Sequence, residues 1–113
     1  MDYQQARTYI LNHPATSEDF PFGPETAVYR VHHKIFALLT LEQGVARVSL
    51  KCEPSEALAL RDVFKAVMPG YHLNKKHWNT VILDGTIPKG EICRMIDNSY
   101  ALVIAGLPHK PKP

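Results

Sequence analysis

The stretch that decides the fold is VYRVHHKIFALLTLEQGVARVSLK, residues 28–51. It contains three runs rich in residues that favour strands, at 28–31, 35–41 and 45–50. The segments between the runs, His32-His33-Lys34 and Glu42-Gln43-Gly44, are short enough to form hairpin turns. The stretch therefore predicts three consecutive strands of an antiparallel sheet.

Helical patterns lie on both sides of these strands. The first covers residues 2–11, where apolar side chains recur at helical spacing behind Asp2, a residue type that caps helices. A second helix is predicted to begin at Glu53-Pro54 and to end at Pro69-Gly70, and a third to begin at Pro88. The apolar stripe of the second helix consists of Ala57, Leu60, Phe64 and Val67.

Two further strands, at 71–73 and 80–83, are predicted to form a hairpin around residues 74–78. The element order α-β-β-β-α-β-β-α gives an α+β fold, a two-layer sandwich with a five-stranded antiparallel sheet and its helices on one side. Residues 16–24 are expected to form a loop in which Phe20 and Phe22 reach into the core, because large aromatic side chains favour burial. The other face of the sheet would be open to water.

Alternation in the third strand predicts which side chains occupy the open face. Val48 and Leu50 point one way, whereas Arg47 and Lys51 point the other. Arg30 of the first strand is expected to join the two cations. Such residues are typical of any solvated sheet face, but they would also serve as a platform for phosphate groups.

The composition is that of an ordinary globular protein, since hydrophobic residues make up 45% of the 113 residues. It excludes a disordered chain, a collagen-like repeat and a disulfide scaffold. The net charge of +2 argues against a protein that coats DNA through general basicity. However, residues 1–26 are acidic and residues 27–51 are basic, so a localised basic surface is compatible with the total. We expect one domain at 1–107 and a flexible basic tail at 108–113.

The expected location is cytoplasmic. The two cysteines, Cys52 and Cys93, are not arranged as Cys-x-x-Cys, and the chain shows neither a secretory signal nor the roughly 18 consecutive apolar residues of a membrane span. Both thiols are expected to be reduced. The six histidines suggest no metal site, because no carboxylate or cysteine lies close in sequence to His72 and His77. We therefore expect neither a cofactor nor enzymatic activity.

The most informative local motif is the loop Asn74-Lys75-Lys76-His77-Trp78-Asn79. Its lysines offer charges for phosphates, its histidine a donor and its tryptophan a stacking surface. The two asparagines could bind a base edge or only the backbone of their own turn. Alternatively, Trp78 packs against the sheet and Lys75 and Lys76 are merely solvated.

The segment MPGYHLNKKHWNTV, residues 68–81, resembles the MmcQ/YjbR family of small bacterial proteins. The stretches FPFGP at 20–24, LKC at 50–52 and IDNSY at 96–100 agree with that resemblance, which covers nearly the whole chain. It implies a fold similar to frataxin and to type III secretion chaperones. It also implies a role in DNA binding.

These observations lead to two functional hypotheses. The first is a DNA-binding protein that contacts the phosphates of a duplex through a wing-like basic loop and the open sheet face. Its candidate residues are Asn74, Lys75, Lys76, His77, Trp78, Asn79, Arg47 and Lys51. The alternative is a protein-interaction or chaperone-like module that binds no nucleic acid. In both cases a monomer or weak dimer is expected, with no membrane association.

Overall fold

A computed structural model describes residues 1–107, and the predicted basic tail at 108–113 lies outside them. The helices are α1 (Tyr3–Leu11), α2 (Pro54–Val63) and α3 (Lys89–Ala105). The strands are β1 (Thr16–Asp19), β2 (Thr26–Val31), β3 (Lys34–Glu42), β4 (Val45–Lys51), β5 (Val67–Pro69) and β6 (Trp78–Ile82). They form one antiparallel sheet in the order β1-β2-β3-β4-β6-β5. The α+β class is confirmed, but the sheet has six strands rather than five.

The hydrophobic core lies between the three helices and one face of the sheet. Val48 of β4 pairs with Leu39 of β3 and Val81 of β6, and these three side chains are almost fully buried. Ile96 of α3 and Ile10 of α1 are buried in the same core. The alternation predicted for β4 is confirmed, because Val48 and Leu50 are buried while Arg47 and Lys51 on the other face are partly exposed.

The additional strand is β1, which occupies a segment that was predicted to be a loop. Its sequence, Thr-Ser-Glu-Asp, contains no apolar residue and therefore lacks the hydrophobic alternation that identifies strands. Side-chain contacts hold it at the edge of the sheet. The Glu18 carboxylate accepts hydrogen bonds from Arg7 at 2.8 Å and from the Tyr29 hydroxyl at 2.7 Å, and Asp19 accepts one from Arg30 at 2.6 Å.

The Glu18 contacts predict a pH-dependent contribution to stability. Hydrogen bonding to Arg7 lowers the pKa of Glu18, so its stabilisation is full above the ordinary carboxyl pKa and is lost as the pH falls through the folded-state value. Glu18→Gln should therefore lower the free energy of unfolding at pH 7, with the deficit shrinking towards pH 3. Urea titrations across this range measure the deficit. The substitution Glu25→Gln, at an exposed position, is the control. A deficit that does not depend on pH would contradict stabilisation by the ionised Glu18 carboxylate.

The region between α2 and β6 differs from the prediction. The helix ends at Val63, and Val67, which was assigned to its apolar stripe, instead begins β5 and pairs with Val81. Val67 is 4% exposed, so the strand satisfies the same need for burial that the helical pattern suggested. Residues 71–73 are loop rather than strand. Gly70 precedes this loop at a close crossing, where an added Cβ would lie 2.7 Å from the Trp78 Cβ.

Candidate nucleic-acid interface

One end of the sheet brings together three segments that are distant in sequence. The β2–β3 hairpin turns at His32 and His33, which both have positive φ angles (48° and 67°), and β3 then begins at Lys34. The antiparallel register places the start of β3 beside the end of β4, where Lys51 pairs with Trp78 of β6. His33, Lys34, Lys51 and Trp78 line a depression of about 440 Å³ at this end, together with Ile35, Val103 and Gly106.

The chain immediately before Trp78 adds two further polar residues next to the depression. The amide of Cys52, which follows Lys51, donates to the His77 carbonyl at 2.7 Å, so the backbone at His77 runs beside the end of β4. Lys76 precedes His77 and is exposed. We call the set His33, Lys34, Lys51, Lys76, His77 and Trp78 the basic end of the sheet.

The loop from Gly70 to His77 has a defined shape. The Asn74 side chain accepts a hydrogen bond from the Lys76 amide at 2.9 Å, and the Asn74 carbonyl accepts one from the His77 amide at 3.1 Å. Arg61 of α2 donates to the Lys75 carbonyl and fastens the turn to the helix. Of the two uses considered for Asn74, the structure shows the turn-forming one. Lys75 is exposed, and its Nζ lies 3.4 Å from the Gly70 carbonyl.

Asn79 does not lie on the surface of this loop. It is 3% exposed and faces the helices, where its Oδ1 accepts from Arg61 Nε at 2.7 Å and its Nδ2 donates to the Ala57 carbonyl at 3.3 Å. The side-chain amide is therefore engaged with α2, and the prediction that it contacts a base is at odds with this position. Strand alternation indicates that Asn79 faces the core, since it pairs with Leu50, which is buried.

Arg47 is on the open face, as predicted, but away from the basic end. It pairs with Thr40 and Ile82 in the first half of β4, four residues before Lys51, which corresponds to about 13 Å along a strand. Its Nε lies 3.5 Å from a carboxylate oxygen of Glu42. Among the predicted site residues, Arg47 and the buried Asn79 therefore lie apart from the basic end.

The position of Trp78 agrees in part with each of its two predicted roles, packing against the sheet and offering a surface for stacking. It is partly buried, with its Cβ against Gly70, and it also lines the depression beside Lys51. His33 and Lys34 are the residues that the sequence-based set omitted. The predicted hairpin at 32–34 could have placed these two residues beside Lys51. In a three-stranded meander, the turn between the first two strands lies beside the end of the third strand.

The lysines near the basic end differ in their charge pairing from most arginines of the described surface. Arg7, Arg30, Arg47 and Arg94 each lie within 3.5 Å of a carboxylate oxygen. Within residues 1–107, no carboxylate lies within 4 Å of the ammonium groups of Lys34, Lys51, Lys75 and Lys76. These lysines are therefore not neutralised by an ion pair with the described residues.

The described residues offer little for metal or thiol chemistry. Between residues 1 and 107, no three His, Cys, Asp or Glu side chains come close enough to hold a metal ion. Burial raises the pKa of the Cys52 thiol to about 11, so it is protonated at neutral pH. No helix in this part of the chain is long and apolar enough to cross a membrane.

Comparison with known protein sequences identifies relatives from a single family. The YjbR family model matches residues 11–102. YbdF of Escherichia coli O157:H7 is 34% identical over 93% of this chain and 86% of its own length, and YjbR of Escherichia coli K12 is 30% identical over 99% and 95%.

Solved structures of related proteins have the same fold as this chain. The crystal structure of Deinococcus radiodurans DR2400, whose domain is named DUF419, superposes with a TM-score of 0.88 at 37% identity, over 93% of this chain and 80% of that one. A solution structure from Pseudomonas syringae gives 0.79 at 32% identity, over 99% and 98%. The resemblance noted for residues 68–81 thus extends through the fold, and the chain belongs to the YjbR family.

Proposed function

We propose that this protein binds duplex DNA by contacting its phosphates with the basic end of the sheet. The observation that carries the proposal is the convergence of Lys34, Lys51 and Lys76, from three separate segments, at a surface where the described residues supply no carboxylate partner. The lysine ammonium group is a compact charge with three donors, and it suits the phosphate oxygens that are spaced along a duplex.

The geometry narrows the surface that we assign to DNA. Arg30 and Arg47 on the open face are paired with Asp19 and Glu42, so their charge is already partly compensated. The loop before Trp78 acts as a wing beside the end of β4, with Lys75 and Lys76 exposed on it. Trp78 forms part of the surface between the cations. The proposal is for a binding protein and assigns no reaction to it.

A salt titration tests this function directly. The three lysines of the basic end and the neighbouring Lys75 would make four contacts to phosphates. Four contacts predict that the logarithm of the association constant falls with the logarithm of salt concentration with a slope of about −3.6. Between about 50 and 200 mM NaCl this corresponds to roughly a hundredfold loss of affinity. Fluorescence anisotropy with a labelled 15-base-pair duplex measures the slope. Absence of binding at 50 mM, or an affinity insensitive to salt, would contradict the proposal and favour the protein-interaction alternative.

A further inference from the structure

A second concave site lies on the helix-free face of the sheet, away from the basic end. It is a cleft of about 420 Å³ whose floor is formed by side chains of the central strands, among them Leu38, Thr40 and Ser49. Phe22 from the β1–β2 loop forms one wall, and Tyr71 with its two successors from the β5–β6 loop forms the other. A volume of this size is typical of sites for small organic molecules.

Hydrogen bonds connect one wall of the cleft to its floor. The Thr80 hydroxyl lies 2.8 Å from the Ser49 hydroxyl and accepts a hydrogen bond from the Tyr71 amide at 3.1 Å. On the other side, the Gly23 amide donates to the Phe20 carbonyl at 3.3 Å and closes a tight turn that contains Phe22. The two aromatic residues are thus held at the rims of the cleft by local structure.

The two aromatic walls are exposed to an unusual extent. Phe22 is 69% exposed and Tyr71 is 62% exposed, whereas the sequence predicted that Phe20 and Phe22 would fill the core. That prediction is wrong, because Phe20 is also 45% exposed. Exposed aromatic side chains that border a cleft are typical of ligand-binding surfaces.

Arg47 gives the cleft a guanidinium group that is only weakly engaged by the protein. Its Nε is buried from solvent and has no hydrogen-bond acceptor among the described residues. Glu42 Oε2, at 3.5 Å, is close enough to compensate charge but does not form a hydrogen bond. The Arg47 side chain as a whole is 33% exposed and lines the cleft, so a carboxylate in the cleft could accept charge-assisted hydrogen bonds from the accessible part of its guanidinium group.

We propose that this cleft binds a small aromatic carboxylate with at least two fused rings. The carboxylate oxygens would accept hydrogen bonds from Arg47, since a guanidinium group matches a carboxylate in shape and charge. The rings would lie over Leu38 between Phe22 and Tyr71. Phe22 lies in the loop that leads into β2, and the Tyr71 amide is bonded to Thr80 of β6. These two strands are three strand spacings or about 14 Å apart, a span that a single ring would not fill. The proposal goes beyond DNA binding and does not depend on it.

Titration of the full chain with 2-naphthoate, followed by calorimetry and by amide chemical shifts, tests the proposal. We expect saturable binding, with shifts concentrated at the floor and walls of the cleft. The matched probes 2-naphthalenemethanol and 2-naphthylmethylamine carry the same rings without the negative charge. Each should bind at least about tenfold more weakly, because the charge-assisted hydrogen bonds to Arg47 are absent.

Three variants separate the contributions. Arg47→Gln should weaken naphthoate binding at least about tenfold, and Phe22→Ser, at an exposed position that does not threaten folding, should weaken it severalfold. Glu42→Gln should strengthen binding, because a competing carboxylate is removed from Arg47. Arg30→Gln is the matched control on the same sheet face and should leave the affinity unchanged.

The alternatives have distinct outcomes. Absence of naphthoate binding, or equal affinity for the neutral probe, would overturn the assignment to a carboxylate. Weaker naphthoate binding by Glu42→Gln would overturn the predicted arrangement of charges. Lys51→Ala/Lys76→Ala should retain naphthoate affinity, so failure of the DNA proposal and failure of this one can be told apart.

Discussion

The double substitution Lys51→Ala/Lys76→Ala is expected to lower the affinity for a 15-base-pair duplex by roughly tenfold or more at about 100 mM NaCl. Removal of two phosphate contacts should also reduce the salt slope from about −3.6 to about −1.8. The fold should be retained, because Lys76 is exposed and the structural contact of Lys51 is made by its backbone amide, which donates to Ser99 Oγ at 2.8 Å. Fluorescence anisotropy measures the affinity and the slope in the same series.

A matched control comes from two lysines at the opposite end of the domain. Lys89 begins α3, fourteen residues before Val103 at the basic end, which is about 21 Å along a helix. Lys65 precedes Ala66, whose carbonyl bonds Ile82 at the far end of β6. Lys65→Ala/Lys89→Ala changes the net charge by the same amount and should leave affinity nearly unchanged. An equal loss in both double variants would indicate general charge attraction rather than a localised interface.

The centre of the sheet was predictable because its signals are local. In residues 28–51, the apolar runs, the short turns and the alternation of Arg47 with Val48 all indicate the same three strands. The edge strand β1 was not predictable in this way. Its four polar residues become a strand only because Arg7 and Tyr29, each eleven positions from Glu18, provide partners for a carboxylate.

The candidate site was predicted in part, for related reasons. Lys51 and Trp78 were selected individually, and their cross-strand pairing brings them together. The register of the hairpins places His33 and Lys34 beside Lys51 and Trp78. This register cannot be read from the residue types alone. Val67 was assigned to the wrong element because its apolar spacing is ambiguous. Its distance from Phe64 in the sequence fits an apolar helix stripe as well as the strand that it forms.

Asn79 provides the sharpest test of how the predicted motif divides between structure and binding. Asn79→Ala is expected to lower the free energy of unfolding by about 2–3 kcal/mol, because it removes one buried and one partly buried hydrogen bond and leaves Arg61 Nε without its acceptor. Urea unfolding followed by circular dichroism measures the change. Asn74→Ala, which removes one exposed side-chain contact to the Lys76 amide, should cost about 1 kcal/mol or less.

The partner of Asn79 allows the effect to be assigned. In a double-mutant cycle with Arg61→Met, the two substitutions should be strongly non-additive, because each removes the same 2.7 Å hydrogen bond. Under conditions in which the variants remain folded, Asn79→Ala should change DNA affinity less than about twofold, since the amide faces α2 rather than the basic end. Unchanged stability together with a large loss of DNA affinity would instead make Asn79 a recognition residue and would require β6 to present its other face when bound.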